Sequence, residues 1–236
     1  MISSTVTVVP PPQHVVRDLA RWMSAYCEPG AVVLNIGAGE DRSGALTPLV
    51  RRAPHLVGVD PHDAIRRNGS LDEQHQMSLE EFAAEHQGEF DLAFAVFVLE
   101  HVDEPAAFAH ACERVLKPGG SLFALTLNVL QYFGAMTWAL SRMGLSDHVL
   151  ELLKGHDEVH DHHFPPEYRL NSVRSVSRHF DEAGFASVEF RCYDAAERYQ
   201  WYLPPGLRWF SMAYNRMAYA VGSPSLMGHL AFRAVK

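Results

Sequence analysis

The sequence predicts an α/β protein: a mostly parallel sheet of about seven strands with helices on both faces. Two observations predict it. Short apolar runs alternate with stretches whose apolar residues recur at helical spacing, the pattern of βαβ units. The runs are apolar throughout rather than alternating, as strands covered on both faces must be.

The elements follow in order. In "PPQHVVRDLARWMSAYC", Val15, Leu19, Trp22, Met23 and Tyr26 share one helical face. "AVVLNIG" is a buried strand. "SGALTPLVRRA" is a helix, with Pro48 near its first turn or kinking it. "HLVGVD" is a second strand ending at Asp60. "SLEEFAAEH" opens on Ser78 with Glu80 and Glu81 behind it, an N-cap signal. "FDLAFAVFV" is a third strand and "EPAAFAHACERVL" a helix. "KPGG" suits a type II turn with Pro118 and Gly119 at its centre, and "SLFALTL" is the next strand. After residue 142 the pattern weakens. "NSVRSVSRHFDEAGF" is a helix ending at Gly184, followed by the strands "ASVEFRCYD" and "LMGHLAFRAVK". The last pair of strands is expected to be partly antiparallel.

The chain has 236 residues, enough for one domain with a full core. With 47 % apolar and 20 % charged residues it is a folded chain. Net charge is −8 and no basic stripe is present, which argues against nucleic acid as a partner. Three isolated cysteines, Cys27, Cys112 and Cys192, give no metal or redox pair and suit a cytoplasmic protein. The N-terminus lacks the basic start of a signal peptide. Residues 121–141 carry no charge and are long enough to span a bilayer. Asn128 and Gln131 at their middle favour a strand followed by an apolar helix, so no transmembrane segment is expected.

The chemistry centres on Gly37, Ala38 and Gly39, at the carboxyl end of the first buried strand. Ligands of parallel sheets bind at that rim. A dinucleotide fingerprint needs a third glycine three residues after Gly39, where Arg42 stands. Glu40 and Asp41 would also sit near a pyrophosphate. S-adenosylmethionine has no phosphate and carries two cationic centres, so acids are tolerable there. Asp60, 21 residues after Gly39, stands where an acid accepts hydrogen bonds from ribose hydroxyls.

Four segments carry a resemblance: "VVLNIGAGE" (32–40), "LVGVDPH" (56–62), "FDLAFAVFVLEHVDEP" (90–105) and "RVLKPGG" (114–120). In order and spacing they resemble the class I S-adenosylmethionine-dependent methyltransferases, over roughly residues 15 to 130. The resemblance implies a Rossmann-like fold with S-adenosyl-L-methionine as cofactor. It implies that Gly37, Ala38 and Gly39 line the methionine and ribose, and that Asp60, followed by Pro61, binds the ribose. It places Gln76, Met77 and Ser78 beside the adenine, and Val96 and Phe97 at the floor. Two positions depart from the family. Asn35 replaces the usual acid that holds the methionine ammonium, and Asp41 replaces the third loop glycine. Further on, "LTLNVLQY" and "FPPEYRLNSVRSVSRHFDEAGF" resemble a bacterial subgroup associated with polysaccharide and secondary-metabolite gene neighbourhoods.

The expected reaction is methyl transfer to a small-molecule acceptor at oxygen or nitrogen. Residues 1–130 form a cofactor-binding half and 131–236 an acceptor or lid half of one domain. His101, just past the "FDLAFAVFV" strand, is the candidate base, since a hydroxyl or protonated amine must lose a proton. Its alternative role is to cap the following turn. His156, His160, His162 and His163 lie among acids. An i, i+4 histidine pair can hold zinc, which keeps a metal-dependent O-methyltransferase in view. Pro165 and Pro166 favour a surface loop instead, and no metal is expected. Tyr168, Arg169 and Asn171 follow, as acceptor contacts or as capping and loop packing. The aromatic stretch 201–222 fits a lid, a homodimer surface or a helix packed on the sheet. A cofactor-binding protein without catalysis remains the reading from another class.

Overall fold

A computed structural model describes residues 2–40, 55–132, 135, 136, 138, 167–195, 206 and 208–236. Its elements in chain order are β1 (Ser3–Val8), α1 (Val15–Ser24), β2 (Val32–Ile36), β3 (His55–Val59), β4 (Glu73–His75), α2 (Leu79–Glu85), β5 (Phe90–Val96), α3 (Pro105–Val115), β6 (Leu116–Leu127), α4 (Val173–Glu182), β7 (Ser187–Tyr193), α5 (Arg208–Val221) and β8 (His229–Val235). The expected helix over 43–53 lies outside the described residues.

The sheet has eight strands in the order β1-β7-β8-β6-β5-β2-β3-β4. All neighbours pair in parallel except β8, which runs antiparallel to both β6 and β7. The expectation of about seven strands misses β1 and β4. Both are edge strands; the Thr5–Val8 alternation of β1 is a short strand signal that the expectation leaves out, and β4 carries none. β1 reads "SSTVTV" and is exposed along most of its length, and β4 is the polar tripeptide Glu73–His75. They are held by backbone hydrogen bonds to one neighbour, which no hydrophobic pattern records.

Helices cover both faces, as the apolar strands require. Leu19, Trp22 and Met23 of α1 pack with Val33, Leu56, Phe94 and Phe123 on one face. Phe82 of α2, Phe108 of α3, Phe180 of α4 and Ala218 of α5 pack with Leu34, Ile36 and Leu122 on the other. Tyr26 corrects the expected apolar face of α1. It lies past the helix end, 41 % exposed, under the Arg233 guanidinium at 3.8 Å.

Local signals behave as their chemistry dictates. Ser78 and Glu81 form a reciprocal capping box at the start of α2. Pro105 sits in the first turn of α3, where its missing N–H costs nothing. Gly184 closes α4 at φ +97°. Gly119 takes φ +79°, which the third position of a type II turn needs. Residues 117–120 form an extra excursion within β6, since Phe90 pairs with Leu116 but Leu92 with Ser121. The result is one rim, formed by the carboxyl ends of β2, β3, β5, β6 and β7 and the start of β8.

Candidate active site

The glycine turn after β2 is fastened on every side. Gly37 and Ala38 donate their N–H groups to the Val59 carbonyl at 2.8 and 3.3 Å. Gly39 donates to Asp60 Oδ2 at 2.9 Å. The Ala38 carbonyl accepts from Asn68 Nδ2 at 3.0 Å. Gly37 has φ +65°, and a Cβ there would collide with the Val98 side chain. A phosphate-binding glycine turn works by offering free N–H groups to the anion. Here all three N–H groups are already spent inside the protein, which disfavours a dinucleotide independently of the missing glycine.

Asp60 is buried to 9 % exposure. Its second oxygen, Oδ1, accepts from His62 N at 2.7 Å. Each carboxylate oxygen has two lone pairs, so one acceptor site per oxygen remains for a ligand. Glu40 is not a free negative charge. Arg67 pairs with it at 3.2 Å.

A cleft of about 640 Å³ opens at this rim. That volume suits a nucleoside-sized ligand. Of the expected site residues, Gly37, Asp60, Pro61, Ser78, Val96, Phe97 and His101 line it. Asn35, Ala38, Gly39, Gln76 and Met77 do not line it. Asn35 is buried within β2, paired with Gly58 and Phe94. Ala38 and Gly39 belong to the fastened turn. The Gln76 side-chain oxygen Oε1 accepts from Arg66 Nε at 2.9 Å, and Met77 packs on the core. Val98, Val102 and Phe108 add apolar wall, and Glu80, Asp103 and Glu104 add carboxylates to the lining. The cleft wall is therefore acidic, which suits a ligand with cationic centres better than a phosphate.

Phe97 holds φ +55°, an uncommon value for a bulky residue. Its N–H donates to the Leu125 carbonyl at 2.8 Å, and its ring meets His229 edge-on at 6.4 Å. The left-handed turn ends β5 abruptly and directs the chain along the cleft into a short 3₁₀ turn, Leu99–His101. His101 closes that turn and donates its N–H to the Val98 carbonyl at 2.9 Å.

Sequence reading missed Glu100, the neighbour of His101. It is 6 % exposed, and burial pushes its carboxyl up to about 7. Thr126 Oγ1 donates to its Oε2 at 2.7 Å, and Asn171 Nδ2 donates to Thr126 Oγ1. The signal was a lone acid inside an apolar run, "FVLEHV". Asp194, at the end of β7, was missed too. It is fully buried, accepts from Asn215 Nδ2 and Gly228 N at 3.0 and 3.2 Å, and burial raises it to about 6. Tyr168, Arg169 and Asn171, expected as acceptor contacts or as capping and loop packing, do not line the cleft. Arg169 pairs with Asp103 at 2.8 Å and with Glu167 at 3.2 Å. The histidines 156–163 lie outside the described residues. Among the described residues no group of three or more acids, histidines or cysteines is placed to hold a metal.

The fold and this rim define a Rossmann-like α/β protein with a nucleoside-sized cleft. Residues 12–189 match the methyltransferase-domain family. A ubiquinone biosynthesis O-methyltransferase from Xanthomonas axonopodis pv. citri is 38 % identical over 126 residues, covering 50 % of this chain and 52 % of that protein. The one from Aromatoleum aromaticum is 35 % identical over 133 residues, covering 52 % and 53 %. The chain thus spans about half the length of these curated relatives. Among solved structures, an S-adenosylmethionine-dependent methyltransferase from Archaeoglobus fulgidus aligns with TM-score 0.58 at 14 % identity, covering 94 % of this chain and 93 % of that one. One from Mesorhizobium loti aligns at 0.57 and 17 %, covering 93 % and 96 %. The chain belongs to the class I S-adenosylmethionine-dependent methyltransferases, and S-adenosylmethionine is its cofactor.

Proposed function

We propose that the chain transfers a methyl group to an oxygen or nitrogen of a small-molecule acceptor, with His101 taking the acceptor's proton. The observation that carries this is the position of His101, on the wall of the cleft lined by Gly37, Asp60 and Phe97. Bound in the cleft, the cofactor supplies a methyl group already activated by a positive sulfur. The protein's part is then alignment and proton removal. Asp60 offers its two remaining acceptor sites to the ribose hydroxyls. The fixed turn 37–39 lets the backbone approach closely, and Val96, Val98 and Val102 exclude water from one side. Gln76, Met77 and Ser78 form the adenine side, with Ser78 at the wall. Asn35 acts from behind the turn rather than by direct contact. The names of the relatives matched over about half their length favour oxygen as the acceptor atom. Cys27, Cys112 and Cys192 are buried and form no disulfide, which supports a reducing cytoplasm.

Two measurements test this reading. Titration calorimetry is expected to show binding of S-adenosylmethionine and S-adenosylhomocysteine, but not of NAD. His101→Gln should cut methyl transfer by roughly 10²–10⁴-fold with cofactor affinity little changed. A fall in affinity with turnover preserved at saturation assigns His101 to cofactor packing.

A further inference from the structure

The segment Glu167–Asn171 is stitched to the cleft wall at several points, and Glu100 joins most of them. The Glu100 carbonyl accepts from both Glu167 N and Tyr168 N, at 2.7 and 3.0 Å. Its side chain accepts from Thr126 Oγ1 at the end of β6. Thr126 in turn accepts from Asn171 Nδ2. The same Nδ2 group donates to the Leu127 carbonyl at 3.1 Å. A carbonyl only accepts, so this second bond fixes which end of the Asn171 amide faces Thr126. The Thr126 hydroxyl therefore receives from Asn171 and must give its own proton to Glu100. The relay runs one way, and Glu100 is its terminal acceptor.

The segment is held under strain. Tyr168 takes φ +53°, a left-handed conformation costly for a bulky side chain. It persists because both ends are tied. The two N–H bonds to Glu100 lie on one side, and on the other Asn171 accepts from Val129 N at 3.1 Å. Arg169 adds a clamp, donating to both the carboxylate and the carbonyl of Asp103 at 2.8 and 3.0 Å. Asp103 lines the cleft.

A buried carboxylate is an expensive way to accept one hydroxyl proton. The charged or titratable groups on the elements that meet here are His101, Asp103 and Glu104 on the cleft side, and Glu167, Tyr168 and Arg169 on the docked segment. Arg169 is committed to Asp103 and Glu167. The cost of Glu100 is borne one residue from His101, where a methyl acceptor must be aligned within fractions of an ångström.

We propose that Glu100 is a positioning residue: through Thr126 and Asn171 it sets the 167–171 segment against the cleft wall, so that this segment and His101 share one anchor. The proposal rests on the methyltransferase reading of the cleft, and its test separates the two. Hydrogen exchange is followed on the full chain in peptides covering 167–171, β2 and β5, with S-adenosylmethionine affinity measured on the same samples. Glu100→Ala should raise exchange in 167–171 at least tenfold, leave β2 and β5 unchanged, and alter S-adenosylmethionine affinity less than threefold. Thr126→Val, which keeps the shape and deletes the hydroxyl, should do the same if Glu100→Ala fails to fold. Glu100→Gln retains an acceptor oxygen and should restore most of the protection. Unchanged exchange in 167–171 overturns the proposal. So does loosening that spreads to β2 and β5, a cofactor affinity that falls in step with it, or failure of glutamine to rescue. Wild-type protein that binds no S-adenosylmethionine at all would instead sink the methyltransferase reading, whatever the exchange pattern.

Discussion

Asp60 Oδ2 accepts the Gly39 N–H at 2.9 Å, so the carboxylate proposed to bind the ribose also fastens the turn proposed to line the cofactor. Affinity and turn geometry are thereby coupled at one side chain. Asp60→Ala should weaken S-adenosylmethionine at least tenfold, since each hydrogen bond to a charged group is worth about 1.5–3 kcal/mol. Asp60→Asn places an amide donor against a backbone donor, Gly39 or His62, and should also lose affinity. Calorimetry checks both, with circular dichroism confirming the fold. Unchanged affinity would move the ribose elsewhere.

The contact between Gly37 and Val98 predicts a specific rescue. Gly37→Ala adds a Cβ against Val98 at a positive φ. Stability should fall by about 1–3 kcal/mol. The double variant Gly37→Ala/Val98→Ala should recover the steric share and leave the backbone strain. A chemical-denaturation cycle over the four proteins measures the coupling, and additive losses would show that Val98 does not press on the turn.

Burial of two carboxyls, Glu100 and Asp194, gives stability a pH dependence whose sign follows from linkage. Burial raises Glu100 to about 7 and Asp194 to about 6, from ordinary values of 4.5 and 3.8. Both bind protons more tightly folded than unfolded. Their contribution is complete below the unfolded values and is lost as pH rises through about 6 and then about 7. Urea midpoints should fall between pH 5 and pH 8, with Glu100 accounting for on the order of 3 kcal/mol at most. Glu100→Gln should remove the upper part of the decline. A wild-type midpoint that rises over this range contradicts the assignment.

The histidine run 156–163 is expected to act without a metal, given the contiguous polar sequence beside Pro165 and Pro166. Elemental analysis of the purified chain should find less than one zinc per molecule, and dialysis against EDTA should leave its thermal midpoint unchanged. Activity lost to EDTA and restored by Mg²⁺ or Zn²⁺ would establish a metal-dependent O-methyltransferase.

The aromatic stretch shows how far periodicity alone can reach. α5 is a helix on the sheet, as one of its readings held, with Ser211 and Ala218 buried. Trp209, Met212, Met217 and Val221 remain exposed on it. Helical spacing identifies a face but not what covers it.

What the sequence determined by itself was local or repeated along the chain. Apolar strands, the Ser78 cap, the glycine turn and Asp60 were legible because each depends on neighbouring residues or on a fixed spacing. The edge strands β1 and β4 were not, beyond the short Thr5–Val8 alternation of β1, because they bury almost nothing and are held by backbone bonds. Only the tertiary structure decided that the N–H groups of the turn are already spent, that Val98 presses on Gly37, and that Glu100 reaches Thr126 and Asn171. These bonds and contacts join residues 21 to 61 positions apart. Their partners are chosen by how strands and loops meet at the rim, which no pattern within a single segment specifies.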